Sequence, residues 1–394
     1  MIHIKNEKDC CGCGACAVSC PTKAIEMEAK GSLGALLPTV NTEKCVECGL
    51  CQRVCPKLDN DTEKVDFAQA AIAAYSKDKE LKFASSSGGM FLSFAKKCIN
   101  KGYSVYGAAF DSEMKLKCTC AQHEEELYLL AKSKYLQSDM TGSFMEIEEK
   151  LKNGQGVLFV STPCQVLALK KYLKKTYEHL LTVDFFCHGV PSQLLFDECN
   201  GFEDNLHNRK TIEYSFRAKV KNGVTPHYYK IRYEKNGKEK QEVKFYYKSL
   251  FYALFQQYIT LRESCYDCTF ATERRYSDIT IGDFHEIDKY VKGINRFDGV
   301  STVILNTQKG KDLFESVSDG LEVFPVDINT LKSDGTIFCG GTKRPGNRDQ
   351  LIQDYNEKGI SYIHKNYFGA KKYLKQSVYY HMPSFIRGVL KRLI

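Results

Sequence analysis

The sequence predicts a small cysteine-rich α+β domain followed by an α/β body, which has a parallel sheet and an added antiparallel hairpin region. Nine of the eighteen cysteines lie within residues 1–58. From about residue 70 to 207, strand-like and helix-like segments alternate with short connections, which implies parallel strands covered by helices. Residues 212–246 instead alternate polar and aromatic residues around Asn-Gly dipeptides, a pattern typical of antiparallel hairpins.

The individual elements follow from periodicity and from glycine punctuation. Short apolar runs bounded by turn residues predict strands, and apolar residues at helical spacing that end near a glycine predict helices. The predicted strands are AAIAAYS, YSVYGAAF, VLFVS (157–161) and LLTVDFFC (180–187), and the predicted helices are SSSGGMFLSFAKKCINKG, MTGSFMEIEEKLKNG, PCQVLALKKYLKK and PSQLLFDECNGF.

Composition restricts the class of protein. The chain of 394 residues has 43% hydrophobic and 26% charged residues, which is ordinary for a globular protein. No run reaches the ~18 apolar residues of a membrane span, and MIHIKNEKDC lacks the pattern of a signal peptide. We therefore expect a cytoplasmic protein, whose cysteines are metal ligands or redox groups rather than disulfides.

The net charge of +8 counts every cysteine as a neutral thiol. An oxidised [4Fe-4S] cluster with four thiolates carries roughly −2, so three clusters would lower the total to roughly +2. The basic balance therefore does not indicate a nucleic-acid partner.

Two cysteine runs dominate the first domain. Each has the form C-x2-C-x2-C-x3-C-P, which is the spacing of bacterial ferredoxins that carry two clusters. In that arrangement the fourth cysteine of each run binds the other cluster. The predicted ligands are Cys10, Cys13, Cys16 and Cys55 for one [4Fe-4S] cluster, and Cys45, Cys48, Cys51 and Cys20 for the other.

A pair of zinc sites is the alternative for these runs. Zinc sites usually join two C-x2-4-C knuckles, so the repeated four-cysteine pattern with its terminal proline favours clusters. Cys11 does not fit the spacing and is expected to be a spare thiol.

Four cysteines of the body form a second candidate site. Cys164 and Cys187 follow successive predicted strands, so parallel pairing would bring both to one carboxyl edge of the sheet, where α/β proteins bind ligands. Cys265 and Cys268 add a C-x2-C pair. A third cluster, a zinc site, a redox dithiol and isolated buried cysteines all stay open at this point.

The other cysteines of the body are expected to be structural. Cys98, Cys199 and Cys339 show no ligand spacing. Cys118 and Cys120 lie on a predicted strand, and we expect them to face opposite sides and not to chelate as a pair.

Two segments are candidates for binding a phosphate-containing cofactor. Residues 85–89 (SSSGG) precede a predicted helix and could form an anion pocket, although an ordinary helix cap is the plainer interpretation. Residues 132–138 (KSKYLQS) are a ligand loop or simply surface. The chain has no G-x-G-x-x-G motif and no P-loop, and Asp283 ends a predicted strand, where function or a turn is expected.

Together these segments resemble the coenzyme F-420 (deazaflavin) hydrogenase/dehydrogenase beta-subunit family, in the version fused to a ferredoxin domain. The matching segments, in the family's order, are SSSGGMF, KSKYLQS, VLFVSTPCQV, VDFFCHGVPS, LRESCYDCTFA and SDITIGDF.

The resemblance implies a flavin-binding body that holds FAD and a third [4Fe-4S] cluster. It implies that Cys164, Cys187, Cys265 and Cys268 are the ligands of that cluster. The implied flavin contacts are Ser86, Ser87, Gly88, Gly89, Lys134, Tyr135, Gln137, Ser138 and Thr162. The expected domains are the ferredoxin-like domain 1–60, the two parts of the flavoprotein body at 61–150 and 151–330, and a helical, basic extension at 331–394.

Two positions depart from the family pattern. Ser161 replaces a frequent glycine before Thr-Pro-Cys, and His285 replaces an aromatic residue after Gly-Asp-Phe. Because the second departure lies near the expected active site, the deazaflavin substrate is not transferred to this chain. His188, Asp283 and His285 are candidate proton donors from their positions alone.

The implied function is an electron relay from ferredoxin or another redox protein, through the clusters and FAD, to a small-molecule substrate. The alternatives are a non-catalytic electron-transfer subunit that docks on a partner enzyme, and an iron–sulfur redox sensor. The carboxyl-terminal SFIRGVLKRLI is expected to be a helix on the domain, with contact to an anionic membrane surface as the lesser alternative.

Overall fold

The computed structural model describes residues 1–58, 70–220, 228–285, 287–292, 294, 299–333 and 340–368. In this part of the chain, strands β1–β13 form three sheets. The strands are β1 (Ile25–Ala29), β2 (Leu36–Val40), β3 (Ala70–Ser76), β4 (Ser104–Phe110), β5 (Leu116–Ala121), β6 (Val157–Val160), β7 (Leu180–Phe185), β8 (Lys210–Ser215), β9 (Tyr228–Lys235), β10 (Lys238–Phe245), β11 (Ile279–Asp283), β12 (Ser301–Leu305) and β13 (Leu321–Asp327).

The α-helices lie mainly between the strands. They are α1 (Ala15–Val18), α2 (Leu50–Arg53), α3 (Lys79–Ala84), α4 (Met90–Asn100), α5 (Leu127–Leu130), α6 (Thr141–Lys152), α7 (Pro163–Leu173), α8 (Gln193–His207), α9 (Leu250–Phe255), α10 (Glu263–Tyr266), α11 (Gln308–Glu315), α12 (Ile328–Ser333) and α13 (Arg348–Tyr367). Among the residues that the structure describes, no helix has the length and apolar character needed to cross a bilayer.

The amino-terminal module consists of the antiparallel pair β1–β2 and the one-turn helices α1 and α2. Each helix begins directly after a glycine with positive φ, Gly14 at +78° and Gly49 at +71°. Residues with side chains rarely adopt this conformation. The glycines therefore allow the cysteine loops to turn sharply into the helices that carry Cys16 and Cys51.

The body is built on an eight-stranded sheet with the order β13-β3-β12-β11-β7-β6-β4-β5. The four strands β11, β7, β6 and β4 are parallel, as predicted. The flanking strands β5, β12, β3 and β13 pair antiparallel, so the predicted parallel sheet is its central part. Since β3 lies between β12 and β13, residues from both expected body segments, 61–150 and 151–330, share one sheet.

The predicted hairpin region is confirmed as the antiparallel sheet β10-β9-β8. Asn236 and Gly237, both with positive φ, form the turn between β9 and β10, which is the turn chemistry of a tight hairpin. Its inner face is aromatic, with the rings of Tyr214 and Tyr229 stacked at 5.1 Å. The second Asn-Gly pair, at 222–223, lies outside the described residues.

The module and the body share a hydrophobic core. Ala15 and Val54 of the module belong to the same buried cluster as Phe144, Phe159 and Leu167 of the body. The Ser192 hydroxyl also donates a hydrogen bond to the Leu33 carbonyl oxygen. The cysteine-rich module is therefore anchored on the body by apolar packing and by a buried polar contact.

The structural cysteines divide into three cases. Cys98 and Cys199 are fully buried in core clusters, as predicted. The prediction for Cys118 and Cys120 is wrong, because residues two apart on β5 point to the same face, and both contact the same core cluster. Cys339 and the basic segment at 384–394 lie outside the described residues.

Candidate iron–sulfur centres and nucleotide site

The first cysteine cavity of the module has an empty volume of about 310 Å³. We call it the inner module site. Its walls include the four thiols predicted for one cluster, together with Cys11 and apolar residues. The lining thiols are those of Cys10, Cys13, Cys16 and Cys55.

The second cavity, the outer module site, has an empty volume of about 320 Å³. The side chains of Met1 and Val46 line it and are 45% and 63% exposed, so this site lies at the protein surface. It contains the other predicted set of thiols, Cys20, Cys45, Cys48 and Cys51. The crossed pairing, in which each run sends its fourth cysteine to the other site, is thus the arrangement in the structure.

Backbone N–H groups point at the sulfurs in both sites. Gly12 N–H donates to Cys10 Sγ at 3.3 Å, Ala24 N–H to Cys20 Sγ at 3.3 Å, and Ile2 N–H to Cys51 Sγ at 3.2 Å. Such hydrogen bonds stabilise the thiolate form and tune the reduction potential of a bound cluster.

The donor set of the inner module site fits a polynuclear metal group. Burial raises the pKa of Cys16 to about 12, and repulsion from Cys10 and Cys55 adds to the effect. These thiols would therefore stay protonated unless a bound cationic group made the thiolates favourable. In the part of the chain that the structure describes, no three Cys, His, Asp or Glu side chains converge on one ion position. Instead the thiols surround a cavity, as the ligands of a cubane cluster do.

The body site brings together the four thiols predicted for a third cluster. Cys164 lies in the first turn of α7, Cys187 follows β7, and Cys265 and Cys268 flank the end of α10. The Cys187 thiol interacts electrostatically with the other three. The geometry thus joins two single cysteines and one C-x2-C pair, which isolated structural cysteines would not do.

Neighbouring groups hold the body site closely. Thr162 Oγ1 lies 3.2 Å from Cys164 Sγ, and Gly189 N–H donates to Cys187 Sγ at 3.4 Å. Gly189 has a φ of +110°, and a Cβ there would lie 2.7 Å from Cys265 Cβ. Glycine is therefore required for the chain to pass beside the Cys265 thiol.

The SSSGG segment is anchored by two distant parts of the body. Ser133 N–H donates to Ser86 Oγ at 2.8 Å. Ser87 Oγ donates to the Val300 carbonyl oxygen at 2.8 Å, and Gly88 N–H to Ser301 Oγ at 3.0 Å. The two segments that the sequence singled out as cofactor candidates, 85–89 and 132–138, are therefore in contact through Ser86 and Ser133.

Two cations beside this segment were missed by the sequence reasoning. Arg217 Nη2 donates to the Ser86 carbonyl oxygen at 3.2 Å, and Lys219 Nζ donates to the carbonyl oxygens of Ser87 at 2.7 Å and Lys82 at 2.6 Å. Burial lowers the pKa of Lys219 to about 7, and the charges of Arg217 and Lys82 lower it further. The only sequence signal was the pair of basic residues in FRAK, directly after β8.

This cationic pocket, formed by Ser86, Ser87, Arg217 and Lys219, fits an anionic cofactor. The Nε atom of Arg217 is buried and has no hydrogen-bond partner among the described residues. Buried cations of low proton affinity next to backbone and hydroxyl donors favour a phosphate group, which supplies the missing negative charge. The pyrophosphate of FAD has this chemistry.

The other predicted flavin contacts have different surroundings. Lys134 Nζ donates to the carbonyl oxygens of Leu129 at 2.9 Å and Ala131 at 2.7 Å, and burial lowers its pKa to about 7. The Tyr135 ring stacks on Phe255 at 4.4 Å.

Three further predicted flavin contacts lie toward the cysteine sites. Gln137 donates to carbonyl oxygens of the module at Cys11 and Gly12. Ser138 and Thr162 both hydrogen-bond to Gln165. The structure thus ties part of the predicted set to the Ser86 segment and part to the neighbourhood of Cys164.

The three candidate proton donors form one group. His188 interacts electrostatically with His285 and Asp283, and burial lowers its pKa. Burial would raise the pKa of Asp283, yet the guanidinium of Arg217 holds that pKa below its usual range. Because an ion-paired carboxylate of this kind is ionised at neutral pH, the geometry favours the two histidines over Asp283 as proton donors.

Comparison with known proteins gives two family matches. Residues 154–328 match the family described as the C terminus of the coenzyme F420 hydrogenase/dehydrogenase beta subunit, and residues 9–58 match the 4Fe-4S dicluster domain. A search of curated proteins finds no match. Among solved structures, a chain from the xenon-derivatised F420-reducing [NiFe] hydrogenase complex of Methanosarcina barkeri is similar at 16% identity, with a TM-score of 0.45 over 76% of this chain and 96% of that chain. The chain is a member of the coenzyme F420 hydrogenase/dehydrogenase beta-subunit family that carries a 4Fe-4S dicluster domain at its amino terminus.

Proposed function

We propose that this chain is an iron–sulfur flavoprotein oxidoreductase, in which electrons pass from the ferredoxin-type clusters through a third [4Fe-4S] cluster to FAD and a small-molecule acceptor. The observation that carries the proposal is the convergence of Cys164, Cys187, Cys265 and Cys268 at one place in the body. This site has the inner module site on one side and the cationic pocket on the other.

Contacts on both sides of the body site support this order. Toward the module, Cys11 lies between Cys13 of the inner module site and Cys164 of the body site and interacts with both. On the other side, His188 directly follows Cys187 and interacts with Asp283, and Asp283 is paired with Arg217. A continuous chain of neighbouring side chains therefore leads from the module to the cationic pocket.

The residues that would hold each group are those described above. The inner and outer module sites would each hold one [4Fe-4S] cluster, and the body site the third. Ser86, Ser87, Arg217 and Lys219 would bind the pyrophosphate of FAD, with Gly88 and Gly89 giving the close backbone approach. The clusters would carry single electrons, and the flavin would exchange them for a two-electron hydride transfer.

The overall reaction balances with a one-electron donor such as ferredoxin. Two donor molecules each lose one electron, and two protons come from solvent, which equals the hydride and proton gained by the acceptor. His188 and His285 are the proposed proton carriers, because both lie beside the pocket and histidine changes charge near neutral pH.

The outer module site is the proposed docking surface for the electron donor. Cys48 is exposed, and the exposed apolar side chains of Met1 and Val46 surround the same cavity. A surface of this kind allows close approach of another redox protein and contrasts with the inner module site, which faces the body.

Anaerobic purification followed by counts of iron, sulfide and released flavin tests the proposal. We expect about twelve irons and one FAD per chain. A preparation with about eight irons and no flavin would contradict it and would leave only the module with cofactors. Reduction of the bound flavin by reduced ferredoxin then separates a catalytic relay from a subunit that only hands electrons to a partner.

A further inference from the structure

The side chain of Arg262 extends from the body into the amino-terminal module. Its Nη2 atom donates to the carbonyl oxygens of Cys10 at 3.1 Å and Leu36 at 2.9 Å. The residue is only 3% exposed. It lies three positions before Cys265, and its own carbonyl oxygen accepts a hydrogen bond from Cys265 N–H. One residue thus contacts the backbone at both the inner module site and the body site.

Gln137 completes this contact. Its Oε1 atom accepts a hydrogen bond from Arg262 Nη1 at 2.7 Å, and its Nε2 atom donates to the carbonyl oxygens of Cys11 at 3.1 Å and Gly12 at 2.6 Å. The two side chains together hold three consecutive carbonyl groups of the cysteine loop, those of residues 10, 11 and 12. We call this pair the loop clamp.

Gly12 fits the loop clamp for a steric reason. Its φ is +66°, and a Cβ at this position would lie 2.7 Å from both Arg262 Cζ and Gln137 Nε2. The glycine therefore allows the clamp to lie directly on the cysteine loop. The clamp fixes the position of the loop that carries Cys10 and Cys13 relative to the helix that carries Cys265.

Arg262 is also a buried positive charge between two groups of thiols. Its charge acts on the thiols of Cys164 and Cys265 in the body site. Its Nε atom is buried and has no hydrogen-bond partner among the described residues. An unscreened cation next to a cluster stabilises the more negative, reduced state of that cluster, which raises its reduction potential.

We propose that Arg262 is a positioning residue that fixes the inner module site against the body site and raises the reduction potentials of the clusters in both. This inference rests on the proposed function, because it requires clusters in these two sites. The outer module site makes no contact with the loop clamp in the described residues, so its cluster serves as an internal reference.

Redox titrations of the purified chain, followed by electron paramagnetic resonance, test the inference. In Arg262→Gln we expect about twelve irons to be retained, two of the three potentials to move to lower values, and the third to stay unchanged. In Arg262→Lys the charge remains, so we expect potentials close to those of the parent protein. Because a lysine cannot make the same forked contact, the magnetic interaction between the two neighbouring clusters should nevertheless change.

Gln137→Glu gives an independent variant. The new carboxylate would pair with Arg262 and neutralise its charge, so the same two potentials should fall while Arg262 stays in place. Arg344→Gln, which removes a 36% exposed arginine paired with Glu263 on α10, is the matched control and should leave all three potentials unchanged.

The outcomes separate this inference from the proposed function. A parent protein without the third cluster contradicts the proposed function itself. Twelve irons with three unchanged potentials in Arg262→Gln or Gln137→Glu would overturn the role of Arg262 alone. If both variants lose iron, Arg262→Lys decides: retained iron with parent-like potentials supports the role, and lowered potentials refute it.

Discussion

Arg217 and Asp283 form an ion pair that links the hairpin region to the end of β11, with Nη2 donating to Oδ1 at 3.0 Å. Their side chains are 11% and 21% exposed. The same guanidinium contacts the Ser86 carbonyl oxygen. The pair therefore holds the cationic pocket and the candidate proton donors in one arrangement.

Replacement of Arg217 by methionine should destabilise the protein by about 3–5 kcal/mol, because it leaves the Asp283 carboxylate buried without its cation. The double variant with Asp283→Asn should recover part of this loss, and both should bind FAD weakly. Chemical denaturation measures the stability. Arg232→Met is the control: its pairs with Glu213 and Glu239 are on the surface, at 43% exposure of the arginine, and should contribute at most about 1 kcal/mol. Equal losses in the two single variants would contradict this prediction.

The affinity for FAD should depend on pH through Lys219. Its pKa is lowered to about 7, so the amine is mainly protonated below pH 7 and neutral above it. A pyrophosphate binds the protonated form and raises its pKa, so the affinity should fall as pH rises above 7, by up to about tenfold per pH unit. Flavin fluorescence titrations of the apoprotein from pH 6 to 9 measure this slope.

Lys219→Arg is the control for the pH effect, because arginine stays charged throughout this range. The affinity of this variant should vary less steeply with pH. Arg217, Lys82, Asp283 and Lys132 also act on Lys219, but none of the four should change charge between pH 6 and 9. The same slope in Lys219→Arg and the parent protein would show that another group takes up the proton.

Cys187→Ala should lower the iron content from about twelve to about eight per chain and stop the reduction of flavin by ferredoxin. The reason is that Cys187 is one of four thiols in the body site, while the two module sites do not use it. Cys98→Ala is the matched control, since Cys98 is 1% exposed and lies in a hydrophobic core. Unchanged iron content in Cys187→Ala would refute the third cluster.

Gly88→Ala should destabilise the flavin pocket. A Cβ at residue 88 would lie 2.4 Å from the Ala74 carbonyl oxygen and 2.8 Å from Ser301 N, and both are backbone atoms of sheet strands that cannot easily move. We expect loss of bound flavin with retention of iron. Gly142→Ala in α6 meets no atom within 4 Å and should raise stability by up to about 1 kcal/mol, so thermal unfolding of the pair isolates the steric effect.

Val46→Glu should slow reduction by a protein donor. The side chain is 63% exposed beside the outer module site, and a new charge there would disturb an apolar contact with a redox partner. Dithionite, a small reductant, should reduce parent and variant equally. A reduced rate with both reductants would point instead to damage of the cluster site.

Much of the fold could be predicted from local patterns. The cysteine spacing, the helix over Met90–Asn100 and the strand over Leu180–Phe185 depend on residues close together in sequence. Even the crossed pairing of the two cysteine runs follows from spacing. These features are local or repeat a known chemical spacing, so one sequence is enough to find them.

The residues that connect the sites could not be predicted in this way. Arg262 contacts Cys10 across 252 positions, and Arg217 contacts Ser86 across 131 positions. Neither contact leaves a periodic signal, because it depends on how separate units pack. The family resemblance assigns Gln137 to the flavin, whereas its hydrogen bonds lie on the cysteine loop of the module.

The unequal exposure of the two module sites also bears on how the protein would fail. Cys48 of the outer site is exposed, whereas Cys13, Cys16 and Cys55 of the inner site are each 8% exposed. Chelators and dioxygen therefore meet the outer site first, and iron should be lost in stages from the surface inward. Damage would then disconnect the protein from its electron donor before it reached the centres next to the flavin, so an air-exposed sample would be starved of electrons while its interior stayed intact.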